Sequence, residues 1–449
     1  MNLPAWLDLL EKRHPTEIDL GLQRCGDVYR ALGSPRPAKK VLTVAGTNGK
    51  GSTVAYLAAM SGALGQRYGS YTSPHIFQYN ERISIMGEPV SDACLVQAFE
   101  QVEKARGDVS LTYFEFTTLA AFVIMHQSNL DCAVLEVGLG GRLDTVNLVD
   151  TDCALITPIG MDHQDFLGDD LDSIAGEKAG IIRAGTPVVC SERNPPAPIL
   201  GTAEELQAPI YLRGQDYDLI QETGPGAGAG LLKFSMAGQC MSVSPPSMGG
   251  QHQLDNLAAA LGAMVLLNPG CIGEAEKISE AIIQCAVPGR LQLVGSAPAV
   301  ILDVGHNELA AQVVSEFIGK DKHTDVTCVL AMLADKPAEA VAVVLNRVCK
   351  RWLCADSPGS RGQTAEQLAQ RLRLVMPLAD IRSCGPIDKA MSTALARVRK
   401  NETILVFGSF TTVAAAANWL RNSMQHSGHD AAKITPQESG TYRRDNSNG

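Results

Sequence analysis

The sequence predicts an α/β protein of two domains, the first carrying a small antiparallel patch beside a mostly parallel sheet. Three observations carry this. Short β-branched runs that end in a turn alternate with helix-like stretches, the pattern of a parallel sheet covered by helices. The texture changes between Ala208 and Ser244, where short alternating runs surround GPGAGAG. A break at Pro288-Gly289-Arg290 then precedes a second alternation.

Taken in order, KVLTVAG is an apolar run closed by glycine, hence a buried strand, and GSTVAYLAAMSGAL follows as a helix. CAVLEVG and CALITPIG are further strands. DLDSIAGEKAGIIR reads as a helix with acidic residues in its first turn, which suits the helix dipole. The stretch from Ala208 to Ser244 is expected to form the antiparallel patch, with GPGAGAG as a flexible hairpin tip. LDNLAAALGAMVLL returns to helix. After the PGR break, AVILDVG, VTCVLAML, RWLCAD and TILVFGS read as strands of a second α/β domain ending near Ser423. The polar tail beyond it, rich in glycine and serine, is expected to be disordered.

Composition narrows the function classes. The chain has 449 residues, 45% of them hydrophobic, enough for a large core. Its net charge of -10 argues against nucleic acid or an anionic membrane as the main partner. The twelve cysteines form no C-x-x-C pair and sit mostly inside apolar runs, as buried thiols of a reducing compartment do. The segment MNLPAWLDLLEKRH has no basic region followed by an apolar core, and no run approaches the ~20 apolar residues of a membrane helix. A cytoplasmic monomer is expected.

The most informative stretch is Gly46-Thr47-Asn48-Gly49-Lys50-Gly51-Ser52-Thr53, placed between a strand and a helix. Consecutive backbone N–H groups and a helix N-terminus make an anion site there. Lys50 supplies a point charge for terminal phosphates, and Ser52 or Thr53 a hydroxyl for magnesium. The spacing G-x-x-G-K-x-[ST] departs from the usual G-x-x-x-x-G-K-[ST]. By itself the loop leaves kinase, GTPase, ligase and passive binder open.

The loop TNGKGS, followed by SPHxxxxNER, EVGLGGRLDTVN, DHQDFLG, IAGEKAGI, GQHQLDN, PGR and LDVGHN, resembles the folylpolyglutamate synthase/dihydrofolate synthase family. That family is a branch of the ATP-dependent amide ligases that includes the peptidoglycan Mur ligases. The matches run in the family's order from about Val41 to Val413. Ser73-Pro74-His75 with NERI after it is similar to the bacterial dual-activity members. The resemblance implies a P-loop ATPase domain of the Mur ligase central type over residues 1–288 and a Rossmann-like ligase domain over 289–423, with residues 424–449 left as tail.

It also implies roles for single residues. Glu136 ends a strand, where a carboxylate lies in the ligand crevice of a parallel sheet, and a hard cation such as magnesium takes carboxylate oxygen. Ser73 and His163 would complete a second metal site, although a turn serine and a capping histidine are the plain alternatives. Lys178 reads by pattern alone as an ordinary exposed lysine. The family carbamylates a lysine in this motif, and the carbamate helps hold magnesium. That requires the neutral amine and hence a depressed pKa. Asn256 resembles an adenine-contacting asparagine, with a helix N-cap as the alternative. Arg290 resembles an arginine that reaches the terminal phosphates, and Asp303 one that takes the ribose hydroxyls. His306 and Asn307 either cap the next helix or approach nucleotide. Asp335-Lys336 are candidates for glutamate or interdomain contact. For the pterin, LTYFEFTTL offers Tyr113, Phe114, Glu115 and Phe116, of which Phe114 is the stacking candidate. Arg142, Asp144 and Thr145 are placed near folate or metal, with a residue that merely pins the loop as the alternative for Arg142.

The implied activity is ATP-dependent ligation of L-glutamate to dihydropteroate, and to reduced folates such as tetrahydrofolates, through an acyl phosphate. Lys50, Lys178, His163 and Arg290 are the catalytic set, with two magnesium sites and closure of the two domains. A Mur-type ligase on a nucleotide-linked precursor is disfavoured, because the chain before Gly46 is too short for the extra domain such enzymes carry. A non-catalytic nucleotide binder is disfavoured by Glu136, His163 and Lys178 all being present at their motif positions.

Overall fold

A computed structural model of the chain describes residues 1–16, 18–222, 230–295, 297–320 and 325–427. The chain divides into two compact units. The first comprises Met1–Pro245 and Leu254–Ile283, the second Pro246–Gln253 and the residues from Gln284 onward. The crossing therefore occurs three times, whereas the sequence places one boundary at residue 288. The segment Pro246–Gln253 joins the second unit through long-range contacts such as Gly249 against Phe317, which sequence texture does not reveal.

The first unit is built on an eight-stranded sheet. Across it run Glu88–Pro89, Ile83–Ile85, Tyr68–Tyr71, Leu130–Glu136, Ala38–Ala45, Cys153–Ile156, Val188–Cys190 and Ile210–Leu212. The five pairings from Tyr68–Tyr71 to Ile210–Leu212 are parallel. Such strands are buried on both faces, so they read as unbroken apolar runs. Register matters for the site: Val44 pairs with Glu136 and Ala45 with Ile156, so the loops after three neighbouring strands emerge together. Ile210–Leu212 is the last parallel strand and not part of the antiparallel patch assigned to this region. The patch itself is the three-stranded sheet Tyr217–Gln221, Leu232–Met236 and Gln239–Val243. Residues 223–229, nearly all of the glycine run called a hairpin tip, lie outside the described residues.

The helix Tyr113–Gln127 is apolar nearly all round and almost wholly buried. It begins at a capping box in which Thr112 and Glu115 satisfy each other's backbone N–H. Phe116 from this helix joins Trp6 and Phe99, with ring centroids 5.5 to 6.0 Å apart. The helix DLDSIAGEKAGIIR is shorter than its pattern: Asp170 caps it, and it spans Leu171–Ala179.

The second unit has a six-stranded sheet in the order Gln292–Val294, Ala299–Asp303, Thr403–Phe407, Val326–Leu330, Cys349–Ala355, Asp380–Gly385. Only the first strand is antiparallel. Trp352 and Phe407 are buried completely in its core. The edge strand Asp380–Gly385 exposes three of its six positions, which explains why its sequence, DIRSCG, does not read as a strand. The last helix runs Phe410–Ser427, so Met424–Ser427 continue it instead of starting a tail. The rest of the tail, residues 428–449, lies outside the described residues. Among the described residues no helix is long and apolar enough to cross a membrane.

Candidate active site

The loop after the central strand Ala38–Ala45 forms the cradle expected from sequence. Two glycines make it possible. Gly46 has φ +147°, and a Cβ there would stand 1.8 Å from the Thr157 hydroxyl. Gly49 has φ +91°, and its Cβ would stand 2.3 Å from Asn256 Oδ1. Thr47 secures the loop: its N–H donates to Pro158 O, and its hydroxyl exchanges hydrogen bonds with the backbone of Gly160. The helix Lys50–Ala63 then starts at Gly49 with no side chain capping it, so its first N–H groups suit an anion.

Two lysines converge on one carbonyl. Lys50 Nζ donates to Gly46 O at 3.0 Å and Thr47 O at 3.1 Å, and Lys178 Nζ donates to Gly46 O at 3.0 Å. Lys178 is only 4% exposed, which corrects the reading of an ordinary surface lysine. Burial first, and Lys50 second, lower its pKa to about 7. Ile174 on the same helix, and Ile181 and Ile182 just beyond its end, are buried around the lysine.

Glu136 ends its strand buried, with the Ser73 N–H 3.4 Å from its Oε2. Ser52 and Thr53 are buried at the helix start, and Thr53 Oγ1 meets no hydrogen-bond partner. His163 adopts φ +52° at the start of the short helix Gln164–Leu167 beside Asp162. Among the described residues no three His, Cys, Asp or Glu side chains gather as a preformed metal cage. Magnesium needs none, since it takes one or two carboxylates and keeps water and phosphate oxygens. A buried strand-end carboxylate and an unpartnered hydroxyl at the phosphate loop fit that donor set.

The glycine turn after Glu136 is organised by Asp144. Its carboxylate accepts from Gly138 N and Leu139 N at 2.9 Å and from Val146 N at 2.8 Å. Burial raises its pKa to about 6 against these bonds. Thr145 beside it is buried. Arg142 pairs with Glu177 at 2.6 Å, so it pins the turn to the Lys178 helix. Phe114 lies half-buried against Gly138 and Tyr71. Glu115 pairs with Arg24 at 2.9 Å, and Phe116 is buried in the core. Sequence reasoning passed over Arg82, which lies nearly buried over the rings of Tyr79 and Tyr113 and donates from Nε to His75 Nδ1. Asn256 is buried within the helix Gln251–Leu267, which rules out the N-cap reading.

In the second unit, Asp303 is buried at its strand end and accepts from Leu291 N at 2.9 Å and Gly305 N at 2.8 Å. Arg290, one residue before Leu291, stacks over Phe410 at 5.5 Å. His306 Nδ1 donates to Val304 O, and Asn307 caps the helix Glu308–Gly319. Asp335 lies 3.6 Å from Arg361, and Lys336 is buried.

Two protein families match the chain: the Mur ligase middle domain over residues 44–264 and the Mur ligase, glutamate ligase domain over 289–410. The dihydrofolate synthase/folylpolyglutamate synthase of Escherichia coli is 39% identical, covering 92% of this chain and 94% of its own. That of Haemophilus influenzae is 37% identical, covering 92% and 96%. A structure described as E. coli FolC in complex with DHPP and ADP superposes with TM-score 0.87 at 38% identity, covering 94% of this chain and 98% of its own. The bifunctional enzyme of Yersinia pestis, complexed with AMPPNP and Mn ion, gives TM-score 0.83 at 36% identity, covering 95% and 98%. The glycine cradle, its paired lysines and both matched domains thus lead to one conclusion: this chain belongs to the dihydrofolate synthase/folylpolyglutamate synthase family of Mur-type ligases.

Proposed function

We propose that the chain is an ATP-dependent ligase that joins the amine of L-glutamate to the carboxylate of dihydropteroate, giving dihydrofolate, and extends reduced folates by the same chemistry. The supporting observation is the cradle Gly46–Thr53 with Lys50 and Lys178 on a single carbonyl, in a chain 38% identical to a FolC that holds DHPP and ADP.

A carboxylate forms no amide unaided, because oxide is a poor leaving group. In our reading the γ-phosphoryl group passes to the pteroyl carboxylate, and the glutamate amine displaces phosphate from the acyl phosphate. The backbone N–H groups of Gly49 to Ser52 bind the nucleotide phosphates, and Lys50 offsets charge on the moving group. Asn256 is assigned to adenine, Asp303 and His306 to the ribose side, and Arg290 to the terminal phosphates. Phe114, Arg142, Asp144 and Thr145 are assigned to the pterin and its loop. Ser52, Ser73, Glu136, His163 and Lys178 would hold magnesium, Lys178 as its carbamate. Bound there, the metal supplies charge neutralisation to phosphoryl oxygens. The unpaired thiols of all twelve cysteines support assignment to the reducing cytoplasm.

The test is phosphate release by the purified chain with ATP, magnesium and L-glutamate, adding dihydropteroate or tetrahydrofolate. Release with both supports the dual activity. Release with dihydropteroate alone removes the extension reaction. Silence with both, in protein that binds ATP, overturns the ligase reading.

A further inference from the structure

The helix Gln251–Leu267 spans a crossing between the two units: Gln253 is the last residue counted with the second unit and Leu254 the first with the first. Asp255 is the next residue, and Asn256, which lies against Gly49 of the phosphate loop, follows it. Farther along, packing secures the helix, with Gly262 against Val189 and Tyr217. Just past its first turn the fastening is ionic. Arg213, from the loop after the strand Ile210–Leu212, forms an ion pair through Nη1 with Asp255, while its Nε donates to Asp218 at 3.3 Å. Arg213 is 5% exposed, and its backbone N–H donates to Cys190 O, so the chain that carries the side chain is fixed as well.

We propose that Arg213 is a positioning residue for nucleotide binding, acting through Asp255 to set the start of this helix's second turn and so the seat of Asn256 on Gly49. The inference rests on the assignment of Asn256 to the nucleotide. The physical case is one of leverage. A guanidinium that bridges two carboxylates through different nitrogens fixes direction as well as distance. It grips the residue directly before Asn256, at the point where the chain passes from one unit to the other. A shift of this turn by a fraction of an ångström changes where the Asn256 amide meets the loop, and closely packed groups do not absorb such shifts.

The chemistry also makes the test clean. Removing Arg213 strands no buried anion, because Asp218 keeps Arg193 at 3.0 Å and the Asp255 side chain is 34% exposed. Steady-state kinetics on the full chain would compare Arg213→Met, Arg213→Lys, Asp255→Asn and Asn256→Ala. The expected result is a KM for ATP raised about tenfold in Arg213→Met, with kcat within about twofold and the KM for L-glutamate unchanged. Arg213→Lys is expected to recover most of the loss. The double variant Arg213→Met/Asp255→Asn should be no worse than either single one, since both break one interaction. If Asn256→Ala raises the KM for ATP while Arg213→Met and Asp255→Asn only lower Tm, the brace is structural and the inference fails. A parallel rise in the KM of every substrate overturns it as well. If Asn256→Ala leaves the KM for ATP unchanged, the nucleotide assignment itself falls and takes the inference with it. Asp255→Asn, on a partly exposed side, keeps the test available should Arg213→Met fold poorly.

Discussion

Lys178 and Gly46 stand 132 residues apart in sequence, and the Nζ of the one donates to the carbonyl of the other at 3.0 Å. Lys50 donates to the same oxygen. Two ammonium groups sharing one acceptor in a buried place cannot both keep an ordinary affinity for protons, and Lys178, the more enclosed, is lowered to about 7. Carbon dioxide adds only to a neutral amine. A carbamate signal is therefore expected by carbon-13 NMR in labelled bicarbonate at pH 8, fading as pH falls through 7 and absent from Lys178→Arg. Its absence at pH 8 would remove the carbamate reading. The same shift has a sign for stability. The folded pKa lies below the unfolded 10.5, so the burial penalty is full below pH 7 and is relieved as pH rises toward 10.5.

Gly49→Ala is expected to abolish tight ATP binding. The methyl group would enter a space 2.3 Å from Asn256 Oδ1, at φ +91°, where an L side chain is strained. Strain of this kind costs about 1–3 kcal/mol. Either the loop or Asn256 must move, so the KM for ATP should rise by at least about tenfold, by the factor that each ~1.4 kcal/mol carries. Calorimetric titration with a non-hydrolysable ATP analogue reads this directly. Unchanged affinity would show that Asn256 does not define the loop.

Why some of this was legible in sequence and some was not follows from distance along the chain. Glu136 and Asp303 were read as strand ends, and so they stand, because unbroken Val/Ile/Leu runs mark buried parallel strands. The cradle was legible for the same local reason. The depth of Lys178 was not, since the contact that buries it comes from another strand loop altogether. Asn256 allowed a cap reading only because the helix start at Gln251 lies five residues upstream, in a segment that belongs with the second unit. The three backbone bonds by which Asp144 organises its loop were not legible, because the letters GGRLD do not disclose loop geometry.

Asp144 makes a prediction about acid and neutral stability. Its carboxyl is raised to about 6 by burial, whereas in the unfolded chain it titrates near 3.8. The folded state therefore binds the proton more tightly, and stability should fall as pH rises from about 4 to about 6 on this group's account, levelling above that. Denaturant unfolding across pH 4–7, compared with Asp144→Asn, isolates the effect. The variant should show a flatter profile, because the amide carries no charge. Asp144→Ala should instead lose about 1–3 kcal/mol at every pH, as Gly138, Leu139 and Val146 lose their acceptor.

Asp303 separates structure from ligand binding most sharply. One oxygen accepts from Leu291 N, the residue after Arg290, and the other from Gly305 N, the residue before His306. Leu291 holds φ +45°, a conformation that needs such an anchor. The carboxylate thus fixes both loops that present the nucleotide candidates of this unit. Asp303→Asn keeps shape but offers only one acceptor oxygen, so one of the two bonds is lost, at about 1–3 kcal/mol. If Asp303 also takes ribose hydroxyls, Asp303→Asn should raise the KM for ATP by a larger factor than that for 2′,3′-dideoxy-ATP. A purely structural aspartate would raise both equally. Measuring the two KM values on the same variant decides between them.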